Sequence, residues 1–179
     1  MRHFSKEQAQ QHRINFMNRI RADYGIEDTS GLEIQFLIQV IAHTFIEINE
    51  KYLEADDLSF ARWQILMHLK GAENRGEEGI TPTALSHVQR VSKNTVSVLL
   101  RGLEEQGYVT RDLDPQDFRK FRIKLTDEGR TYISHSAPEW IGKIAGMSNQ
   151  LTLEERQELV RLLSKLHGSF LENWSPNKG

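Results

Sequence analysis

The segment from residue 81 to residue 126 constrains the fold most, because it predicts two closely spaced helices followed by a hairpin. Thr81 stands directly before a proline, a pair typical of a helix start, so we expect a short helix that ends near Gln89. After a tight turn, Ser92 caps a second helix, which ends at Gly107. Its predicted core face holds four aliphatic residues at helical spacing: Val96, Leu99, Leu100 and Leu103. Two helices joined in this way form a helix-turn-helix.

The stretch after the second helix predicts a hairpin, which would make this a winged helix-turn-helix. Tyr108–Asp112 and Phe121–Leu125 alternate as strands do, and Asp114–Asp117 between them has the composition of a turn. The apolar residues of the second strand are expected to face the core: Phe121, Ile123 and Leu125. Thr126 begins a further helix, which Pro138 is expected to interrupt or bend.

The second helix turns small hydrogen-bonding side chains and a long cation toward solvent. With the aliphatic face inward, the outward set comprises Ser92, Lys93, Asn94, Thr95, Ser97, Val98 and Arg101. Between His87 and Arg101 there are three cations (Arg90, Lys93 and Arg101) and no acid, although the chain carries a net charge of −2. Short side chains let a helix enter the major groove of duplex DNA, where Lys and Arg reach bases or phosphates. The alternative is an ordinary solvated helix face.

The hairpin carries a second basic cluster. Four cations fall within six residues without an acid: Arg119, Lys120, Arg122 and Lys124. Arg119 lies near the predicted tip, where it would enter a narrow minor groove, and Asp117 is placed to orient its guanidinium. The alternative is a charged edge strand that protects the chain against aggregation.

The helices outside this segment carry more apolar surface than a single DNA-binding lobe needs. Leu32 to Leu53 predicts a long helix whose apolar stripe covers more than one face. The last helix opens at a capping box, Thr152–Glu155. Its apolar stripe comprises Leu159, Leu162, Leu163, Leu166 and Phe170. As a two-fold interface, these two faces would bury one another.

Two other segments are predicted less sharply. Ser59 caps a helix that carries Trp63 and ends near Gly71, before a glycine-rich loop. Residues 5–23 are polar and basic, and we expect an arm that is helical only when packed, with Ser5 as a cap.

Composition excludes several kinds of site. The 179 residues include no cysteine, which excludes disulfides, thiolate metal sites and thiol redox sensing. The longest uncharged run, Ile34–Ile46, covers 13 residues, and the N-terminus lacks the apolar core of a signal peptide. We therefore expect no membrane span and a cytoplasmic protein. The seven histidines include no i, i+4 pair and no neighbouring cysteine, so no metal site is predicted. No catalytic set is predicted either, because a nucleophile and base need an orienting third group and an oxyanion site.

Six motifs, in their joint order and spacing, resemble those of the MarR (multiple antibiotic resistance regulator) family of winged helix-turn-helix regulators. They are Leu58–Leu66, Thr83–Ser86, Val91–Ser97, Leu103–Arg111, Asp114–Arg119 and Leu125–Gly129. The resemblance covers roughly residues 32–172. Three features depart from the family pattern: Ser86 where a second small apolar residue is common, a longer loop at 71–79, and the N-terminal arm.

The resemblance implies a mainly α fold with a small β-hairpin wing, assembled as an obligate homodimer. Residues 1–31 would be a dimer-associated arm or helix, and 32–57 with 130–172 the helical dimerisation region. Residues 58–129 would be the winged helix-turn-helix DNA-binding lobe, and 173–179 a tail.

The function that the resemblance implies is sequence-specific binding of double-stranded DNA by a transcriptional regulator, not catalysis. We expect a ligand-responsive repressor that binds a pseudo-palindromic operator, with Ser92–Arg101 as the recognition helix and Asp117 with Arg119 as the wing-tip pair. The predicted phosphate contacts are Lys93, Lys120 and Arg122. The predicted base contacts are Asn94, Thr95, Ser97 and Arg101.

No cofactor is expected, but the resemblance also implies a pocket for a small aromatic or phenolic effector. By helix position, its lining would comprise His43, Trp63, Met67 and His68. Plain core packing is the alternative for these four side chains. Two other functions stay open: a winged-helix module that binds proteins and no DNA, and a metal-responsive regulator of the same fold.

Overall fold

The computed structural model describes residues 6–114 and 117–173, which form seven α-helices and one two-stranded sheet. The chain divides into two compact units, Met1–Gln64 and Ile65–Gly179, and the boundary falls inside the third helix. This mainly helical architecture with a small antiparallel sheet confirms the predicted fold class.

The first unit begins with a helix that packs on its successor. The unit contains α1 (Lys6–Tyr24), α2 (Ser30–Leu53), a 3-10 turn (Glu54–Asp56) and the start of α3 (Phe60–Asn74). The rings of Phe16 and Phe36 stack with their centroids 6.1 Å apart. Arg13 Nε lies 3.2 Å from Glu33 Oε1, and Met17 is buried. The predicted arm is therefore a helix packed on α2, while its predicted cap, Ser5, lies outside the described residues.

Helix α2 is anchored near its C-terminal end and exposed along much of its length. Phe45 meets Phe60 edge to face at 5.7 Å, and Glu50 Oε1 accepts a hydrogen bond from the Phe60 N–H at 3.2 Å. Large apolar side chains stay exposed on this helix: Leu32, Ile34, Val40, Ile41, Ile46 and Ile48. Length and composition alone would let α2 cross a membrane, so the predicted absence of a membrane span stays a prediction.

The second unit holds the helix-turn-helix and the hairpin. After the rest of α3, its elements are α4 (Pro82–Gln89), α5 (Lys93–Glu105), β1 (Val109–Leu113), β2 (Phe121–Leu125), α6 (Asp127–Gly146) and α7 (Leu153–Asn173). Its buried aliphatic core includes Ile65, Leu66, Leu69, Leu85, Val96, Leu100, Leu103, Val109, Ile123, Leu125 and Ile133. The predicted inward face of α5 is thus confirmed, with Leu99 half-buried at its edge.

Side-chain caps begin the helices where the sequence predicts them. Four predicted capping residues each accept a hydrogen bond from a backbone N–H of the first turn, at 3.0–3.2 Å: Thr81, Ser92, Thr126 and Thr152. The capping box is complete, because Glu155 Oε2 accepts from the Thr152 N–H at 2.8 Å.

Two predicted helix interruptions do not occur. Helix α3 continues through Gly71 to Asn74, since one glycine inside a helix costs only about 1 kcal/mol. The left-handed backbone that ends this segment lies at Gly76, with φ 77°. Pro138 lies inside α6, which runs unbroken to Gly146.

The two strands pair antiparallel in a register that sets Leu113 opposite Phe121. Strand β1 begins one residue later than predicted, because the Tyr108 N–H still bonds to a carbonyl in the last turn of α5 at 3.0 Å. Ile80 and Ile123 exchange backbone hydrogen bonds of 3.0 and 2.9 Å, which tie the loop before α4 to the edge of β2.

Candidate nucleic-acid interface

A sharp turn joins α4 to α5. Arg90 adopts a left-handed backbone (φ 54°) and its N–H donates to the His87 carbonyl at 3.2 Å. The Val91 N–H then donates to the Ser86 carbonyl at 3.1 Å. Ser86 is buried, and its hydroxyl donates to the Thr83 carbonyl at 2.8 Å, so a serine fits where a small apolar residue is common.

Helix α5 presents the predicted polar face to solvent. The exposed residues are Ser92, Lys93, Asn94, Thr95, Ser97, Val98 and Arg101. Two local hydrogen bonds engage the hydroxyls: Ser92 Oγ and Thr95 Oγ1 lie 2.8 Å apart, and Ser97 Oγ donates to the Lys93 carbonyl at 2.9 Å. Within the described ranges, three longer side chains have no hydrogen-bond or ion-pair partner: Lys93, Asn94 and Arg101. These three groups of α5 can bind a ligand without breaking a contact within the chain.

The wing, defined as β1, β2 and the turn between them, carries its most exposed cation at the tip. The Arg119 side chain is 95% exposed, and its Nε lies 3.6 Å from Asp117 Oδ1. The same carboxylate accepts from the Arg119 N–H at 3.1 Å and pairs with Lys120 Nζ at 3.1 Å. The backbone hydrogen bond from Arg119, followed by the bond from Lys120, lowers the pKa of Asp117. A charged Asp117 therefore organises the backbone around Arg119.

Near the turn end of the wing, Arg122 is bound by the protein and is only 30% exposed. Its Nε lies 2.8 Å from Oδ2 of Asp114, whose side chain is only 7% exposed, and the guanidinium reaches the Gly79 carbonyl at 3.4 Å. The ion pair forms because the register makes residues 114 and 122 diagonal neighbours, and the phosphate contact of Arg122 stays a prediction. Gly79 is needed there, since a Cβ would lie 2.6 Å from the Ile123 carbonyl oxygen.

The predicted place of Phe121 in the core is wrong, although strand alternation keeps its side chain on the same face as Ile123 and Leu125. Phe121 is 41% exposed. The Arg111 guanidinium lies over its ring, with Cζ 5.8 Å from the ring centroid. It sits opposite Leu113, which is also exposed, at the end of the ribbon nearest the tip. A two-stranded ribbon has no second layer to cover both ends, so only Ile123 and Leu125 are buried as predicted.

Sequence reasoning missed a polar network that joins three elements. Arg130 on α6 donates to Glu73 Oε1 on α3 at 3.0 Å and to the Leu125 carbonyl at 2.7 Å. Lys70 Nζ adds a contact of 3.3 Å to the other Glu73 oxygen. No sequence signal could identify this network, because Glu73 and Arg130 lie 57 positions apart.

The residues predicted to line an effector pocket have different environments. His43 is exposed on α2, whereas Trp63 is fully buried with its ring stacked on an aromatic neighbour at 6.2 Å. Met67 and His68 are half-buried on α3, and burial is the main cause that lowers the pKa of His68. The pocket stays a prediction. Among the described residues, no three His, Asp or Glu side chains are grouped to hold a metal ion.

Comparison with known proteins identifies the family. The family model described as MarR family matches residues 56–120. The HTH-type transcriptional repressor YetL of Bacillus subtilis (strain 168) is 30% identical over 143 residues, which cover 80% of this chain and 84% of YetL. The chain belongs to the MarR family. This MarR-family protein is a DNA-binding transcriptional regulator and not an enzyme, which confirms the predictions of family and general function.

Two solved structures share the fold over most of their length. The Staphylococcus aureus MepR–DNA complex is 25% identical with a TM-score of 0.68, covering 76% of this chain and 97% of MepR. The reduced form of MarR from Escherichia coli is 27% identical with a TM-score of 0.62, covering 74% of this chain and 94% of MarR. Both similarities confirm the winged-helix architecture of this MarR-family protein.

Proposed function

We propose that this MarR-family protein is a homodimer that represses transcription by binding a pseudo-palindromic operator, and that a small molecule releases it. The exposed face of α5 carries the proposal. Lys93, Asn94 and Arg101 have no partner in the described part of the chain, and no acid lies between His87 and Arg101. A helix face with free cations and an amide can bind both the base edges and the phosphates of a DNA groove.

In the proposed complex, α5 lies in the major groove. Its 13 residues span about 20 Å, and its short side chains fit a groove about 12 Å wide. Arg101 has the geometry to bind the two acceptors of guanine, and Asn94 the donor and acceptor of adenine. The exposed hydroxyls of Thr95 and Ser97 are the other proposed contacts with base edges. Lys93 joins the free N–H groups of the first turn in binding phosphate.

The wing supplies the second set of proposed contacts. Arg119 extends from the tip into the minor groove, where a narrow A·T-rich segment has the most negative potential. Asp117 fixes the backbone of the tip, and Lys120 beside it binds phosphate. We assign Arg122 a positioning role, because its guanidinium is bound to Asp114.

The proposed dimer accounts for apolar surface that one chain leaves exposed. No residue of the 21-residue α7 is buried, although helices of this kind gain most of their stability from burying an apolar face. The exposed stripe includes Leu159, Leu162, Leu163 and Phe170. Helix α2 exposes a comparable set, so we place both helices in a two-fold interface, together with α1. Such a dimer would set two α5 helices about 34 Å apart, one DNA turn.

A small aromatic or phenolic effector is the proposed releasing ligand. The half-buried Met67 and His68 on α3 are the proposed contacts of this effector. Binding there would change the spacing of the two α5 helices, which couples the effector site to the DNA site. The proposed location is the cytoplasm, where a repressor meets its operator.

Selection of bound sites from random duplexes tests the proposed function. The purified full chain should enrich an inverted repeat with half-site centres about 10 base pairs apart. Arg101→Ala should cost about 1–3 kcal/mol of binding free energy and relax one base preference. Arg75→Ala, which removes an exposed arginine in the loop after α3, is the charge-matched control and should retain the preference. Absence of an enriched repeat would contradict the proposal.

A further inference from the structure

We propose that Val98 is a specificity-determining residue that reads the C5-methyl group of a thymine in each half of the operator. This inference rests on the proposed docking of α5 in the major groove, and it further specifies one base that each half of the operator should contain.

Val98 is an apolar side chain at the centre of a polar helix face. It is 63% exposed, whereas every other large apolar side chain of α5 is buried or half-buried. It lies four residues after Asn94 and three residues before Arg101, so the three side chains share one face of the helix. Single exposed apolar residues are common on protein surfaces, but this one lies between the two groups best suited to read bases.

The chemistry of the major groove leaves one base edge that suits this side chain. Adenine, guanine and cytosine present hydrogen-bonding atoms there, and a valine packed on those atoms would remove water without replacing its hydrogen bonds. Thymine alone presents a methyl group, which gains from the same contact. Packing Val98 into the groove therefore favours a thymine at the position that it covers.

The flanking residues predict where that thymine lies. Asn94 and Arg101 are one helical turn from Val98 on either side, so the bases that they contact flank the one under Val98. Each half-site should contain a thymine, on either strand, between those two contacted bases.

Replacing thymine by deoxyuridine tests the inference, because this change removes the methyl group and retains every hydrogen-bonding atom. Each thymine of the selected operator is replaced in turn, and Kd is measured for the wild type, Val98→Ala and Val88→Ala. Val88, 54% exposed on α4, is the matched control. The wild type should lose affinity about fourfold at one position per half-site, and about 16-fold with both replaced.

The variants decide whether Val98 makes the contact. Val98→Ala should bind thymine and deoxyuridine operators within about twofold of each other, while Val88→Ala should keep the fourfold difference. Alanine favours the helix more than valine, so the variant should fold. A Val98→Ala protein that keeps the full difference, or an operator with no methyl-sensitive thymine between the two flanking contacts, would overturn the inference. Arg101→Ala separates the two proposals: if it does not weaken operator binding, the docking of α5 itself is wrong.

Discussion

The carboxylate of Asp114 holds the guanidinium of Arg122 at 2.8 Å, where the wing meets the loop before α4. The same guanidinium reaches the Gly79 carbonyl at 3.4 Å, and Asp114 Oδ1 accepts from the Asp117 N–H at 3.3 Å. One nearly buried carboxylate thus connects the start of β2 to the turn at the tip of the wing. The position of Arg119 depends on this connection.

Asp114→Asn should therefore destabilise the protein and weaken DNA binding. The variant leaves the half-buried Arg122 without a counter-charge, which should lower the free energy of unfolding by about 1–3 kcal/mol. Asp112→Asn is the matched control, because Asp112 pairs with Lys124 at 3.1 Å and its side chain is 45% exposed, against 7% for Asp114. It should cost less than about 1 kcal/mol in urea denaturation. Equal losses for the two variants would show that Asp114 has no special role.

Local signals explain how much of the fold the sequence predicted. A capping residue such as Ser92 accepts a hydrogen bond from an N–H group within three residues, and the apolar stripe of α5 repeats every turn. Both features can therefore be predicted from the sequence without tertiary information. The recognition face follows directly, because the inward residues determine the outward ones.

Contacts between distant residues explain what the sequence did not predict. Strand alternation gives the face of Arg122 but not its partner across the hairpin, so the ion pair with Asp114 could not be predicted. Strand alternation predicts that Phe121 is in the core, but it does not show where the two strands extend beyond the helices that pack on them. Similarly, Gly71 was a plausible helix end, and only the φ of 77° at Gly76 shows which glycine is used.

Gly129→Ala should destabilise the protein strongly. A Cβ at this position would lie 2.1 Å from the Tyr108 carbonyl oxygen, and a backbone atom cannot move aside without disturbing the start of β1. We expect a loss of about 1–3 kcal/mol in thermal or urea unfolding. Gly142→Ala in the same helix has nothing within 4 Å of its new Cβ and should stabilise the protein by up to about 1 kcal/mol. The free energy of unfolding should fall for Gly129→Ala and rise for Gly142→Ala, and a change in the same direction for both would contradict this account.

His68 should make the free energy of unfolding decrease as the pH becomes mildly acidic. Burial first, and then the positive charge of Arg75, lower the pKa of His68 in the folded chain. The folded protein therefore binds fewer protons than the unfolded one, so the stability is complete above the unfolded pKa of about 6.5 and is lost as pH falls through the folded pKa. His68→Gln should flatten the decrease in the free energy of unfolding below about pH 6.5. Identical pH profiles for variant and wild type would refute this assignment.

Leu163→Glu should dissociate the proposed dimer. The substitution puts a charge in the exposed apolar stripe of α7, which would be desolvated at the interface. Sedimentation should give the mass of one chain, 20.8 kDa, where the wild type gives twice that mass. Gln157→Glu adds the same charge to the same helix off the stripe and should remain dimeric. A Leu163→Glu dimer of undiminished stability would remove α7 from the interface.

The most direct test of the account is methylation protection of guanine N7 on a selected operator, because this atom faces only the major groove. We predict two clusters of protected guanines on one face of the duplex, about 10 base pairs apart, and loss of protection at one guanine in each cluster with Arg101→Ala. Protection confined to one cluster, or a pattern that Arg101→Ala leaves unchanged, would contradict the claim that two copies of α5 read the major groove.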